Sequence, residues 1–264
     1  MRKRLLGGLV ALVLLPLQGQ AAISNAQIED LELHLWQIRS DFHMYTIMTG
    51  NKNYQGDLSK SISGAKQALD DMADSAASDK EKKLISTIKP KWATLRKAAE
   101  ANTVVSKGYT DAYIIQDVNE MPAEVSDAIK DAGIGEAGKY DDIRQLATYL
   151  QHMTSEYLNV AADPAGGMAA GTNEGRMAFK DAVPEFEKRL AAAQKAYAKD
   201  DAMVRSLNQV AVKWRFIRQS MVKFYENAVP FLIYRYTNQM VDTMEQAIQL
   251  TATDVQKPNF GPVK

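Results

Sequence analysis

Apolar residues recur every three or four positions along most of this chain, and that spacing limits it to packed helices. Ile28, Leu31, Leu35, Ile38, Phe42 and Tyr45 fall on one helical face, so residues 26–48 read as a helix. Asn25 stands where an N-cap is needed. Thr49-Gly50-Asn51 ends the run, since glycine takes the left-handed conformation that closes helices. Residues 53–76 form a second helix with Leu58, Ile62, Ala65, Leu69 and Met72 inward. Ser78-Asp79-Lys80-Glu81 has the form of a capping box, in which serine and glutamate satisfy each other's backbone amides. A third stripe starts there with Leu84, Ile88, Trp92, Leu95 and Ala99, kinked at Pro90. It continues through Val105, Tyr109, Tyr113 and Val118 to Met121, and Pro122 is expected to end it.

The second half repeats the plan. Residues 140–162 place Ile143, Leu146, Leu150, Met153 and Tyr157 on one face. A Gly-rich loop follows from Asp163 to Gly171. Residues 173–199 form the next helix, with a kink at Pro184. Asp200 or Asp201 caps a last long stripe, Val204 to Phe224, which resumes after Pro230 and runs to about Thr251. No stretch alternates apolar and polar residues between turn signals, so strands are not expected. The fold class is all-α, with long antiparallel helices in two tandem bundle units at 23–122 and 140–252. A linker with a short helix at 123–139 joins them, and 253–264 is a disordered tail.

A sequence echo supports the two-unit reading. Lys91-Trp92-Ala93-Thr94-Leu95-Arg96 is matched 122 residues later by Lys213-Trp214-Arg215-Phe216-Ile217-Arg218. Asn119-Glu120-Met121 is matched 119 residues later by Asn238-Gln239-Met240. The shift of three is close to one helical turn, as a small deletion after an internal duplication would leave.

Residues 1–22 have the anatomy of a secretory signal peptide: Arg2-Lys3-Arg4, an uncharged run from Leu5 to Leu17, and the small-residue exit Gly19-Gln20-Ala21-Ala22. Cleavage is expected after Ala21 or Ala22, which places the mature protein in the periplasm or, if it is released further, outside the cell. Removing Arg2, Lys3 and Arg4 from the 32 basic residues leaves 29 against 32 acidic ones. That balance argues against a general nucleic-acid binder. The chain has no cysteine, which excludes disulfides, thiolate metal sites, cysteine nucleophiles and covalent c-type haem.

Chemistry-bearing motifs are few. His34, His43 and His152 show no metal-ligand spacing; His34 and His43 are nine apart and point to opposite sides of a helix. No metal site and no cofactor is expected. There is no nucleophile elbow, and Gly166, Gly167 and Gly171 lack the Lys-Ser/Thr of a phosphate loop. The chain therefore reads as non-enzymatic. Arg39, Arg96, Arg144 and Arg218 lie within or beside apolar stripes, where a guanidinium fork can hold a carboxylate or another small anion. Tyr225, Phe231, Tyr234 and Tyr236 crowd around Pro230 and are candidates for an interaction surface.

The first unit is a helix ending Tyr45-Thr46-Ile47-Met48-Thr49-Gly50-Asn51, followed by a return helix rich in Ala, Ser and Asp. It resembles the periplasmic helical-bundle sensor domains of bacterial chemoreceptors and sensor kinases, including the four-helix, bimodular and type IV pilus chemoreceptor classes. The resemblance implies binding of a small organic acid, amino acid or inorganic anion near the bundle core, often through arginine, and pairing of two copies along long helices. This chain departs from those receptors in carrying no later membrane-length stretch and no signalling module. The resemblance therefore implies a free-standing exported form. Three readings remain open: an adaptor for an envelope or membrane-bound partner, a small-anion sensor, and a haem- or metal-binding bundle.

Overall fold

The structure, a computed structural model, describes residues 22–163, 177–226 and 228–254. These residues are helical, and no strand occurs among them; one isolated bridge joins Ser24 to Glu136. The helices are α1 (Asn25–Ile47), α2 (Lys52–Ser75), α3 (Asp79–Glu100), the single turn α4 (Val104–Lys107), α5 (Ala112–Ala132), α6 (Asp141–Ala162), α7 (Phe179–Ala196), α8 (Asp201–Val222) and α9 (Pro230–Asp254).

Local chemistry explains most boundaries. The N-cap of α1 is Ser24 rather than Asn25, because Gln27 three residues on completes a capping box with it. The expected box at Ser78 and Glu81 forms, and the Glu81 carboxylate also accepts from the amides of Ala77 and Ile23. These bonds hold its carboxyl down at about 2 and tie the chain ahead of α1 to the start of α3. Gly50 stands at φ +82°, a left-handed conformation that favours glycine, and a Cβ there would also displace the Val105 side chain, 2.0 Å from its Cγ2.

Several boundaries differ from the sequence expectation. The helix expected over 173–199 is α7, which starts at Phe179 and ends at Ala196. Pro122 does not end a helix; it lies buried inside α5, which runs on to Gly133. The break comes earlier, between α3 and α5. There Asn102 accepts from the Val104 amide and the Thr110 hydroxyl and donates to Thr46 on α1, while Gly108 takes the left-handed conformation. Side-chain bonds of this kind compete with the helix ladder, whereas a proline in a packed helix forfeits one ladder bond. The long last stripe likewise divides, and Pro230 opens α9 as its first residue, where its missing N–H costs nothing. Residues 253–254, expected in the tail, belong to α9; the rest of the tail and the Gly-rich loop after Asp163 lie outside the described residues.

Helix α1 is the centre of the assembly. Fourteen of its 23 residues are buried, on all sides of the helix. Ile28, Leu31, Leu35, Ile38 and Phe42 join a core with α2, α3 and α5, whereas Leu33 and Met44 join a second core made by α6 to α9. It packs against α2, α5 and α6, while α6 packs against α7 and α9, and the hairpins α3–α5 and α8–α9 close the two cores.

The pairing of α1 with α6 is parallel and in register. Asn25 meets Asp141, Trp36 stacks on His152 and Arg39 meets Ser155, each pair 116 residues apart. The junctions that follow α3 and α8 therefore lie at one end of the molecule, with the C-termini of α1 and α6. Asn102 reaches Thr46 there, the Val229 amide donates to the Tyr157 hydroxyl, and Tyr54 packs edge-on to Tyr234.

Candidate functional site

Three polar or exposed features stand out, and the sequence-derived residues divide among them. The first is the seam between α1 and α6. Arg39 is 1% exposed. It donates from Nε to Asn119 Oδ1 at 3.0 Å, from Nη1 to Ser155 Oγ at 3.2 Å, and from Nη2 to Glu156 Oε2 at 2.6 Å. His43 Nε2 shares the same Asn119 oxygen at 2.8 Å, and the amide nitrogen of Asn119 donates to Asn159. Burial, with the Arg39 charge adding to it, lowers the His43 pKa to about 3, so the ring is neutral and donates to Asn119. The guanidinium that was a candidate anion clamp already holds a carboxylate of its own chain.

Arg96 and Arg218 are exposed on the outer faces of α3 and α8, and Arg218 pairs with Glu187 at 3.3 Å. Arg144 is half-buried, donates to the Lys139 carbonyl, and borders a cavity of about 290 Å³ between α1, α6 and α9. This cavity is the second feature. Leu33, Ile143, Met244 and Ile248 form its apolar lining, and Glu29, Asp30 and Glu245 supply carboxylates. Burial first, then Glu32, raises Glu29 to about 7; burial, then Asp242 and Asp30, raises Glu245 to about 7. A lining with three carboxylates facing one arginine is wrong for an anion and suits a cationic or neutral group. The structure thus does not gather the four arginines into one pocket. His34 borders the same cavity, His152 stacks on Trp36 at 3.6 Å, and among the described residues no cluster of His, Asp and Glu is placed to hold a metal.

Further along α1, Asp41 is buried between Ser61 Oγ, which donates to it at 2.6 Å, and the Tyr234 hydroxyl, which donates at 2.7 Å. Burial raises its carboxyl to about 7, opposed by those two bonds. Burial and the neighbouring Asp41 carboxyl push the Tyr234 hydroxyl up in turn. The sign of the resulting pH dependence follows from proton counts. Asp41, Glu29 and Glu245 bind protons more tightly folded than unfolded, so their contribution to stability is present at low pH and is lost as pH rises from about 4 to about 7. His43 acts oppositely, and its contribution is complete once pH exceeds its unfolded value of 6.5. Three groups outweigh one, so the melting temperature is expected to be lower at pH 8 than at pH 5.5. Asp41→Asn, which keeps an acceptor for Tyr234, should flatten that slope in melts followed by circular dichroism. An unchanged slope would show that Asp41 is ionised throughout.

The third feature is the corner where α8 turns into α9. Trp214, Ile217 and Met221 face the core, so Val212, Phe216 and Val222 are left on the outer side of α8. Phe216 is 69% exposed and stacks on Tyr236 of α9 at 6.0 Å. Tyr225 is 84% exposed, and Phe231 and Leu232 are about half so. Of the four residues expected at an interaction surface, Tyr225 and Phe231 are therefore exposed and Tyr236 is half-buried at the edge of the patch. Tyr234 points into the core, because the α9 stripe through Ile233, Thr237 and Met240 carries its neighbour inward to Asp41. Sequence reasoning passed over Phe216. Its signal was present: Phe216 follows Val212 by four residues, on the side opposite Trp214 and Ile217. The junction after α3, at the same end, also exposes Val105, Tyr109 and Tyr113. The chain matches no protein-family model, no curated protein and no solved structure.

Proposed function

We propose that this chain is an exported, non-enzymatic binding protein that docks through its α8–α9 corner onto a component of the cell envelope. The corner belongs to the second of two tandem four-helix units, which arose by internal duplication. The exposure of Phe216, Tyr225, Phe231 and Leu232 around the α8–α9 turn, with Phe216 stacked on Tyr236, carries this reading, since large apolar side chains left in water mark interaction surfaces. The duplication is supported by a shared order of packing. In each half the first helix packs on the second and fourth, and the third packs on both of those. Trp92 and Trp214 each lie thirteen residues after the first residue of a 22-residue helix, and both are buried. The in-register seam relates the first helices of the halves in the same way.

A sensor for small anions has less support. Arg39 is paired internally, Arg96 and Arg218 face outward, and the cavity beside Arg144 is acidic. A haem- or metal-binding bundle also has less support: His43 is bonded to Asn119, His34 to Gln37, and His152 is stacked on Trp36. Docking is tested by fractionating cells that express the chain. The protein is expected in the sedimented envelope membranes, and Phe216→Ser with Tyr225→Ser should release it into the soluble fraction with its helical signal intact. Wild-type protein found wholly in the soluble fraction would overturn the reading.

A further inference from the structure

The charge around the exposed patch identifies what it docks on. Between Val212 and Tyr236 the chain carries Lys213, Arg215, Arg218, Lys223 and Arg235 against the single acid Glu226. The whole chain is balanced at 32 basic and 32 acidic residues, so the excess is local. Two of the five cations are engaged, Lys223 with Glu226 and Arg218 with Glu187. Lys213, Arg215 and Arg235 make no ion pair among the described residues. Lys213 and Arg215 flank Phe216 on α8, and Arg235 adjoins Tyr236, the ring on which Phe216 stacks, so positive charge lies beside these rings.

Resting on the docking reading above, we propose that this corner binds the surface of an anionic lipid bilayer. Phe216, Tyr225, Phe231 and Leu232 enter the headgroup layer, and Lys213, Arg215 and Arg235 meet the lipid phosphates. Aromatic rings favour the water–lipid boundary, where a ring can be buried while its polar edge stays wet. Surface helices of this type combine an apolar face with basic residues and sink roughly 5–10 Å into the boundary. Each cation near an anionic surface adds attraction that acts within a Debye length. Among the described residues no helix is long and apolar enough to cross a bilayer, so these helices can meet lipid only at its surface. The turn exposing Tyr109 and Tyr113 lies at the same end and offers further rings for the same boundary.

The test is co-sedimentation of the purified protein with protein-free vesicles of phosphatidylcholine containing about 30% phosphatidylglycerol. Vesicles of phosphatidylcholine alone serve as the comparison. Binding is expected to the anionic vesicles and to fall at least about tenfold on the neutral ones. Arg215→Glu with Arg235→Glu should lose binding by a similar factor, as should Phe216→Ser with Tyr225→Ser. All four positions are partly or fully solvent-exposed, so the variants should keep the wild-type melt. Raising the salt to about 0.5 M should weaken the wild type, because the Debye length then shrinks to a few ångström.

Equal binding to both vesicle types, or binding unaltered by the charge reversals, overturns the proposal. Binding to isolated envelope membranes without binding to protein-free anionic vesicles overturns the lipid assignment and leaves the docking reading standing. Binding to neither overturns both.

Discussion

Arg39→Ala is expected to destabilise the protein by about 3–5 kcal/mol, because it leaves the Glu156 carboxylate buried without its counter-charge. In a chain of this size that corresponds to a fall in melting temperature of roughly 6–20 °C. The side chains of the pair are 1% and 5% exposed, so water cannot take the place of the lost partner. The same substitution removes donors from Asn119 and Ser155 and so loosens α5 and α6 from α1 together. Glu156→Ala should cost a similar amount for the converse reason. Arg39→Met combined with Glu156→Leu should cost clearly less than either single change, since it leaves no unpaired charge. A double-mutant cycle closed with the single variants Arg39→Met and Glu156→Leu, measured by urea denaturation, separates the pair energy from these losses. An Arg39→Ala variant within about 1 kcal/mol of wild type would show that water reaches the seam.

The second large effect concerns the tryptophans. Trp92→Ala and Trp214→Ala are each expected to cost about 3–5 kcal/mol, the range for emptying a large aromatic site in a packed core. Trp92 lies in the core made by α1, α2, α3 and α5, and Trp214 in the core made with α6 to α9. Trp214 packs on Phe186 with ring centroids 4.5 Å apart and donates to Glu187, whose carboxylate keeps its Arg218 partner when the tryptophan is removed. The two tryptophans belong to different cores, so their costs should add to within about 0.5 kcal/mol in the double variant. Each single variant should nevertheless unfold in one transition, because α1 contributes side chains to both cores and neither keeps its wall without it. Two resolved transitions would mean that the halves fold as separate domains. A departure from additivity above about 1 kcal/mol would mean that the cores are mechanically coupled through α1.

The helices themselves were largely legible because the signals that set them are local. The stripe Leu84, Ile88, Trp92, Leu95 and Ala99 is buried as its spacing requires. The capping box at Ser78 and the stop at Gly50 act within a few residues of themselves. Where two local signals competed, the sequence reading chose wrongly. It let Pro122 end a helix and let the chain run straight through Asn102 and Gly108. The structure reverses both, because Asn102 gains partners on α1 and Pro122 gains a buried position in α5.

Helix α1 shows the limit most clearly. Its stripe correctly named the face toward α2 and α3. A second face carries Glu29, Trp36, Arg39 and His43, and the stripe says nothing of what covers it. It is buried because a second helix, 116 residues away, brings Glu156, Ser155 and His152 to meet it. No periodicity within α1 can announce a partner that distant. The same holds for the candidate residues: periodicity placed Arg39 and Tyr234 correctly on their helices but could not say what each would face.

The sequence by itself determined that the chain is helical, where most of its helices begin and end, and which stripe of each turns inward, because capping and hydrophobic spacing act over one or two turns. Only the tertiary structure decided that α1 and α6 lie parallel and in register, that Arg39 closes on Glu156, and that Phe216 and Tyr225 remain in water. Those outcomes depend on which helix faces get covered, and coverage is set by contacts between residues far apart in the chain.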